Sequence, residues 1–176
     1  MKSNPLILVF IMFCTQVLFS QNDSGKVFYF RSASLGIGIA SGSESSGYLD
    51  FRGDVTTAYN KNLFSLAVSA GGTGQSFGAS RDFLAVDALY GRAFEITNFF
   101  TIEGHIGVGY FFENYKDYDT DFAKKNESTI GIPVQAKLLF YVSPKFALGL
   151  NPGVNFNSIE TIYSGNLIFQ YNFGGK

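Results

Sequence analysis

The sequence predicts an all-β chain whose eight antiparallel strands close into an up-and-down transmembrane β-barrel. Three observations predict it. From residue 27 onward the apolar pattern repeats with period two, which puts residues i and i+2 on one face of a strand and fits no helix. Eight such runs occur, each about ten or more residues long; a tilted strand needs that length to cross a bilayer, whereas strands of soluble sheets average about five or six. Aromatic residues are 17% of the 176 residues, as 20 Phe and 10 Tyr with no Trp, while charged residues are only 15%. Phe and Tyr at that density suit pleated surfaces and membrane interfaces.

A segment of another kind precedes the runs. Residues 1–20 hold one positive charge, Lys2, then an apolar run over residues 6–14, and then lead into the polar stretch 21–26. This is the layout of a secretory signal peptide. The apolar run is shorter than the roughly 20 residues of a spanning helix, and no basic stop-transfer cluster follows it. Cleavage after Ser20 is expected, giving a signal peptide over 1–20 and a barrel domain over 21–176. Cys14, the only cysteine, then leaves with the signal, and the bulky Phe13 before it argues against lipid modification. Disulfides, thiolate nucleophiles and Cys-ligated metals are thereby excluded together from the mature chain. Removing Lys2 leaves 12 basic and 14 acidic residues, a net charge of −2. Such a chain has no global field to attract a nucleic-acid backbone.

The runs follow in order. Residues 28–40 carry the apolar stripe Leu35, Ile37 and Ile39. In the second run Leu49, Phe51, Gly53, Val55, Thr57 and Tyr59 share one face, and Tyr48, Asp50, Arg52, Asp54 and Thr56 the other. Residues 63–71 show Phe64, Leu66 and Val68 as their stripe, and residues 83–94 place Asp87 on the polar side. The fifth run, 100–112, sets Phe100, Ile102, Ile106, Val108, Tyr110 and Phe112 against Thr101, Glu103, His105, Gly107 and Gly109. The sixth sets Ile130, Ile132, Val134, Ala136, Leu138 and Phe140 against Gly131, Pro133, Gln135, Lys137 and Tyr141. The seventh sets Phe146, Leu148, Leu150, Val154 and Phe156 against Ala147, Gly149, Asn151, Gly153, Asn155 and Asn157. The eighth sets Tyr163, Leu167, Phe169, Tyr171 and Phe173 against Ser164, Asn166, Gln170 and Asn172. Two residues fall on the apolar parity of their runs, Arg31 and Arg92; either a β-bulge shifts the register there or the guanidinium snorkels to an interface.

Connections alternate in length. Short turns are expected at residues 60–62, 95–98 and 143–145, and mostly longer links at 41–46, 72–82, 113–127 and 158–162. Bacterial barrels have short periplasmic turns and longer outer loops. Aromatics gather beside the short turns, at Tyr59, Phe64, Phe94, Phe99, Phe100, Phe140, Tyr141, Phe146, Tyr171 and Phe173, as an interfacial girdle would. Backbone groups in lipid must all be paired, so the strands must close on themselves. The mean hydropathy of +0.12 fits a sheet that shows lipid only alternate residues. A soluble lipocalin-type barrel is the structural competitor; its charged face would point outward, and the few charges here are too sparse for a solvated exterior.

These residues resemble the small eight-stranded outer-membrane barrel proteins of Gram-negative bacteria, the porin-family or OmpA/OmpW-like barrels, over essentially the whole mature chain. The strongest marks are Gly131-Ile132-Pro133-Val134-Gln135-Ala136-Lys137, Gly149-Leu150-Asn151 downstream, and the terminal pattern Gly165, Phe169, Tyr171, Phe173. That last pattern looks like the C-terminal signal read by the barrel-assembly machinery, and departs from the usual form in that Gly174-Gly175-Lys176 follow the final aromatic. The resemblance implies an outer-membrane location, outer-membrane lipid and the assembly machinery as partners, and a small hydrophobic or ionic solute as a conceivable cargo.

The polar faces predict a lumen network of Asp50, Arg52, Asp54, Asp87, Glu103, His105, Gln135 and Lys137. Glu103 and His105, two apart on one face, form a pair that in other settings serves acid–base chemistry. An eight-stranded barrel, however, is just wide enough to be filled with side chains, and opposing charges inside normally pair with each other. Some barrels of this size resemble lipid A-modifying acyl enzymes that use a histidine with a nearby serine and an acidic residue; no serine occurs near His105 on its strand. As the only histidine, His105 also excludes paired-histidine metal motifs. The stretch Asp117-Tyr118-Asp119-Thr120-Asp121 is like the opening of a calcium loop, but has Phe122 where glycine belongs and Ser128 where the closing Glu belongs. Gly36-x-Gly38 and Gly107-x-Gly109 lie inside strands with no following helix, so they are packing glycines rather than nucleotide loops. The expectation is a non-enzymatic barrel with a structural or porin-like role, no cofactor and no metal. Its alternatives are a lateral route for small hydrophobic molecules and a lipid-modifying enzyme centred on His105.

Overall fold

Eight strands carry the eight alternating runs: β1 (Tyr29–Gly42), β2 (Tyr48–Tyr59), β3 (Asn62–Gly72), β4 (Ser80–Glu95), β5 (Phe100–Lys116), β6 (Lys124–Tyr141), β7 (Phe146–Asn157) and β8 (Ile162–Asn172). Each is antiparallel to the next, and β8 returns to pair with β1 from Ser32↔Asn172 to Gly42↔Ile162, so the sheet closes into a barrel. The structure is a computed structural model and describes residues 28–43, 47–73, 80–116 and 124–174. The expected signal peptide, the acidic stretch from Asp117 to Phe122, and Gly175 and Lys176 lie outside the described residues.

The period-two pattern becomes an inside and an outside. Leu35, Ile37 and Ile39 of β1, Phe51 and Val55 of β2, Ile130 and Ile132 of β6 and Leu167 and Phe169 of β8 are exposed on the outer wall. Their alternates, including Ser34, Asp50, Asp54, Gln135, Lys137, Asn166 and Gln170, are buried inside. An exterior of large apolar side chains around a polar interior is stable only where the surrounding medium is itself apolar.

The four longer connections are shorter than the sequence predicts. β4, β5 and β6 have 16, 17 and 18 residues, against 11 to 14 for the others. The ladder between β5 and β6 runs on through Glu113↔Glu127, Asn114↔Asn126 and Lys116↔Lys124, inside the link expected over 113–127, and Ser128 pairs with Phe112 rather than ending a loop. Alternation marks a strand only where one face is apolar. Glu113, Asn114, Asn126, Glu127 and Ser128 are polar on both faces, so the backbone ladder continues where the hydrophobic signal has stopped.

The short turns are built by local chemistry. Asn60 takes φ 56°, the left-handed region that Asn tolerates, and closes the tight link from β2 to β3. The other two share one design. Thr97 Oγ1 accepts from the Phe100 amide at 3.0 Å, and Ser143 Oγ accepts from the Phe146 amide at 3.2 Å.

Above these turns the aromatics touch one another. Phe28 stacks on Tyr59 at 5.0 Å, Phe64 meets Tyr90 at 5.6 Å, Phe100 stacks on Phe140 at 4.6 Å, and Phe146 meets Tyr171 at 5.1 Å. The two arginines on apolar parity separate. A register shift between Phe30 and Ser32 marks a bulge in β1, and Arg31 bonds inward. Arg92 keeps its outward parity, exposed near the short-turn end opposite Asn62.

Candidate functional site: the barrel lumen

Three layers fill the lumen. At the loop end an aromatic plug is made by Ala40, Tyr48, Phe83, Ala85, Phe111 and Ile162, with Phe83 against Tyr48 at 5.3 Å and Phe111 at 5.7 Å. At the short-turn end Leu139, Ala147 and Ile168 form a smaller apolar cluster. Charged and amide side chains occupy the space between. They come from the inward faces of β2, β4, β5, β6, β7 and β8 and from the bulge of β1, and small residues such as Gly107, Gly109 and Gly131 leave room for long polar neighbours.

The central knot joins opposite walls. Lys137 on β6, fully buried, donates to Asp54 Oδ1 on β2 at 2.6 Å and to Ser34 Oγ on β1 at 3.1 Å. Ser34 in turn donates to Asp54 Oδ2. Thr56 donates to Asp54 Oδ1 at 3.2 Å and lies 2.7 Å from Ser65 Oγ. A buried ammonium and carboxylate hold together only with this kind of full hydrogen-bonding, because each alone pays a large desolvation penalty.

A second group surrounds Glu103, which is fully buried. Arg31 Nη2 donates to Glu103 Oε1 at 2.9 Å, and His105 Nε2 approaches Glu103 Oε2 at 3.5 Å. A third joins Arg52 to Asp87 at 3.5 Å. Asp50 accepts from Asn166 Nδ2 at 2.8 Å, and Gln135 accepts from Asn151 Nδ2 at 3.4 Å. All eight residues of the expected network thus face the lumen, but in separate groups rather than one. Among them lies a cavity of about 20 Å³ bounded by Asp50, Arg52, Asp87, Gln135, Phe83 and Phe111, room for about one water molecule.

Sequence reasoning left some partners out. Arg31 was open between two readings, and its bulge has no signature in the alternation. Ser34 shares parity with Gly36 and Gly38 opposite the β1 stripe, a signal strong enough to have placed it inside. The mouth was also missed: Arg81 Nη1 lies 3.7 Å from both Glu113 Oε1 and Glu160 Oε2, and Tyr48 donates to Glu160 at 3.1 Å. These contacts sit on strand extensions and on the residues between β7 and β8, where periodicity gives no guide.

The terminal pattern lies on the outer face of β8 and just beyond it. Gly165, Phe169 and Phe173 are exposed, and Tyr171 packs between Phe146 and Phe173 at 5.1 and 5.4 Å. Among the described residues no group of three or more His, Cys, Asp or Glu side chains is placed to hold a metal ion. His105 is only 3% exposed and points into the packed interior.

No protein-family model and no curated protein matches the chain. Solved structures do. The attachment invasion locus protein Ail of Yersinia pestis superposes with a TM-score of 0.60 at 15% identity, over 85% of this chain and 100% of that one. Neisserial surface protein A gives 0.60, 15%, 85% and 100%. The N-terminal β-barrel domain of Pseudomonas aeruginosa OprF gives 0.54 at 13% identity, over 82% and 100%. The outer membrane enzyme PagL gives 0.50 at 13%, over 80% and 98%. At these identities the likeness is one of fold: the chain has the fold of small eight-stranded outer-membrane barrels.

Proposed function

Starting from that fold, we propose that the chain is a resident of the bacterial outer membrane with a structural, non-enzymatic role, its interior filled and its working surface at the loop end. The observation that carries this reading is the lumen. Ion pairs at 2.6 and 2.9 Å lie between two apolar layers, and the cavity bordered by Asp50, Arg52 and Asp87 holds about 20 Å³, far less than a hydrated solute needs. A barrel so filled has no path for steady conduction. The long β4, β5 and β6 support a surface-facing role, since their ends continue as polar ladder past the apolar belt. Ail and Neisserial surface protein A, with the same architecture, are an attachment protein and a surface protein by name.

Catalysis by His105 is disfavoured by geometry. A lipid-modifying group must reach an acyl ester from the outer wall, whereas His105 is enclosed beside Glu103. PagL shows that the architecture accommodates an enzyme, so the point is worth an experiment. The lipid partner of the outer wall is outer-membrane lipid, and the assembly machinery reads the Gly165, Phe169, Tyr171, Phe173 pattern.

Planar-bilayer recording on the refolded barrel tests the reading. The expected trace shows no steady conductance. A reproducible conductance that Lys137→Ala or Glu103→Ala alters would make the chain a transport barrel. A lipid A profile that changes on deletion and is restored by the wild type but not by His105→Asn would make it an enzyme.

A further inference from the structure

One charge stands on the outer wall. From the level of Asp82 to the short turns, the outward parity of the strands carries apolar, aromatic and small side chains, and among the described residues Arg92 is the only charged one in that span. Arg31, the other arginine of apolar parity, is turned inward to Glu103. Arg92 is exposed between Tyr90 and Phe94 on the outer face of β4, inside the aromatic girdle of the short-turn end. No ion pair joins it to an acid among the described residues. Glu95, the nearest acid along the strand, has the opposite parity and pairs with Thr101.

Its neighbours add donors on one side and space on the other. Asn62 stands opposite Arg92 on β3, and Asn62 Oδ1 accepts from the Tyr90 hydroxyl at 2.8 Å, which leaves the amide Nδ2 as a further donor on the same outer row. Lys61, in the adjoining turn, brings a second exposed positive charge to this corner. On β5 the partner of Arg92 is Gly104, where a Cβ would meet nothing within 4 Å, and Ala136 of β6 continues the row. The row is a low step in the wall, between Ile106 and Val134 on its loop side and Ile102 and Leu138 on its turn side. A guanidinium facing lipid is tolerated near an interface, and its planar fork matches two phosphate oxygens at once.

We propose that Arg92 is the anchor of a site for one anionic glycerophospholipid of the periplasmic leaflet, its phosphate on the guanidinium and the Asn62 amide and the start of an acyl chain on the step at Gly104 and Ala136. The inference rests on the outer-membrane reading and adds to it one lipid and one place. Charge complementarity selects the lipid. Arg92 and Lys61 face no acid of the chain, so the counter-charge comes from the membrane, and a phosphatidylglycerol-type headgroup supplies a net negative charge there. A zwitterionic headgroup carries its own cation beside the phosphate and neutralises the corner less well.

The test mixes the full barrel, refolded in detergent, with phosphatidylglycerol and phosphatidylcholine of equal chain length and weighs the complexes by native mass spectrometry. The wild type is expected to retain one phosphatidylglycerol, with a preference of about tenfold over phosphatidylcholine, and Arg92→Gln to lose that preference. Lys145→Gln, which removes the same charge from another short turn, is expected to keep it. Equal retention of the two lipids by the wild type, a preference that survives in Arg92→Gln, or an equal loss in Lys145→Gln overturns the proposal. So does a dimer that only Arg92→Gln dissociates while lipid retention is unchanged, which would give the cation to a second copy. The heat-modifiable gel band of each protein separates failure of this site from failure of the membrane reading, since the band disappears only in the second case. If Arg92→Gln does not fold, a phosphatidylglycerol with a photoreactive headgroup decides on the wild type: crosslinks around Asn62 and Arg92 support the site, and crosslinks elsewhere alone remove it.

Discussion

Lys137 Nζ lies 2.6 Å from Asp54 Oδ1, although the two residues are 83 apart in the chain and stand on opposite walls of the barrel. The contact spans the lumen from β6 to β2, and Ser34 on β1 bonds to both partners. A tie of this kind links two walls across an interior whose width the eight strands set. It also makes the fold sensitive to loss of either partner alone.

Lys137→Met therefore leaves Asp54 buried without its cation. Destabilisation of about 3–5 kcal/mol is expected, because the lone carboxylate keeps its desolvation penalty and loses its compensation. Adding Asp54→Asn to Lys137→Met removes the stranded charge and recovers a large part of that loss. Urea unfolding of the single and double variants in lipid vesicles measures both quantities.

Two glycines of β5 separate packing from mere presence. A Cβ at Gly107 would meet the Ala88 carbonyl oxygen of β4, whereas nothing stands within 4 Å of a Cβ at Gly104. Gly107→Ala is expected to cost about 1–3 kcal/mol through forced strand separation, and Gly104→Ala to stay within about 0.5 kcal/mol. The same unfolding measurement ranks them.

The fold was legible because the medium writes it into every strand. A wall with lipid outside and polar side chains inside forces strict alternation, as in Leu49 to Tyr59 against Tyr48 to Thr56, and that alternation fixes parity without knowledge of the pairing. Parity alone brought Asp50, Asp54, Asp87, Glu103, Gln135 and Lys137 to the lumen. It does not say which of them meet, since that depends on the closed register and on height along the barrel. Nor does it survive a bulge, so Arg31 stayed open until the shift at Phe30 and Ser32 turned it toward Glu103. Beyond the apolar belt the signal vanishes, which is why the extensions of β5 and β6 read as loop.

The terminal aromatics make a kinetic prediction. Phe173→Ala is expected to slow assembly of the barrel into the outer membrane, since Phe173 closes the pattern proposed as the recognition signal. Tyr163→Ala, on the outer face of β8 but at its loop end, leaves the rate unchanged. The time course of the heat-resistant, fast-migrating form in growing cells compares them.

The mouth contributes less. Tyr48→Phe removes the hydrogen bond to Glu160 and keeps the ring against Phe83, so a loss of about 1 kcal/mol is expected. Retention of the folded form in increasing urea reads that difference.

The account rests on an apolar wall facing lipid around a filled polar interior, and one measurement reaches it directly. Cells are fractionated, and the purified protein is run on a detergent gel with and without heating. A band in the outer-membrane fraction whose mobility changes on heating is the predicted result, the behaviour of a closed barrel that resists detergent until its strands separate. A soluble periplasmic species whose mobility heating does not alter would contradict the account and reverse the meaning of its inside and outside.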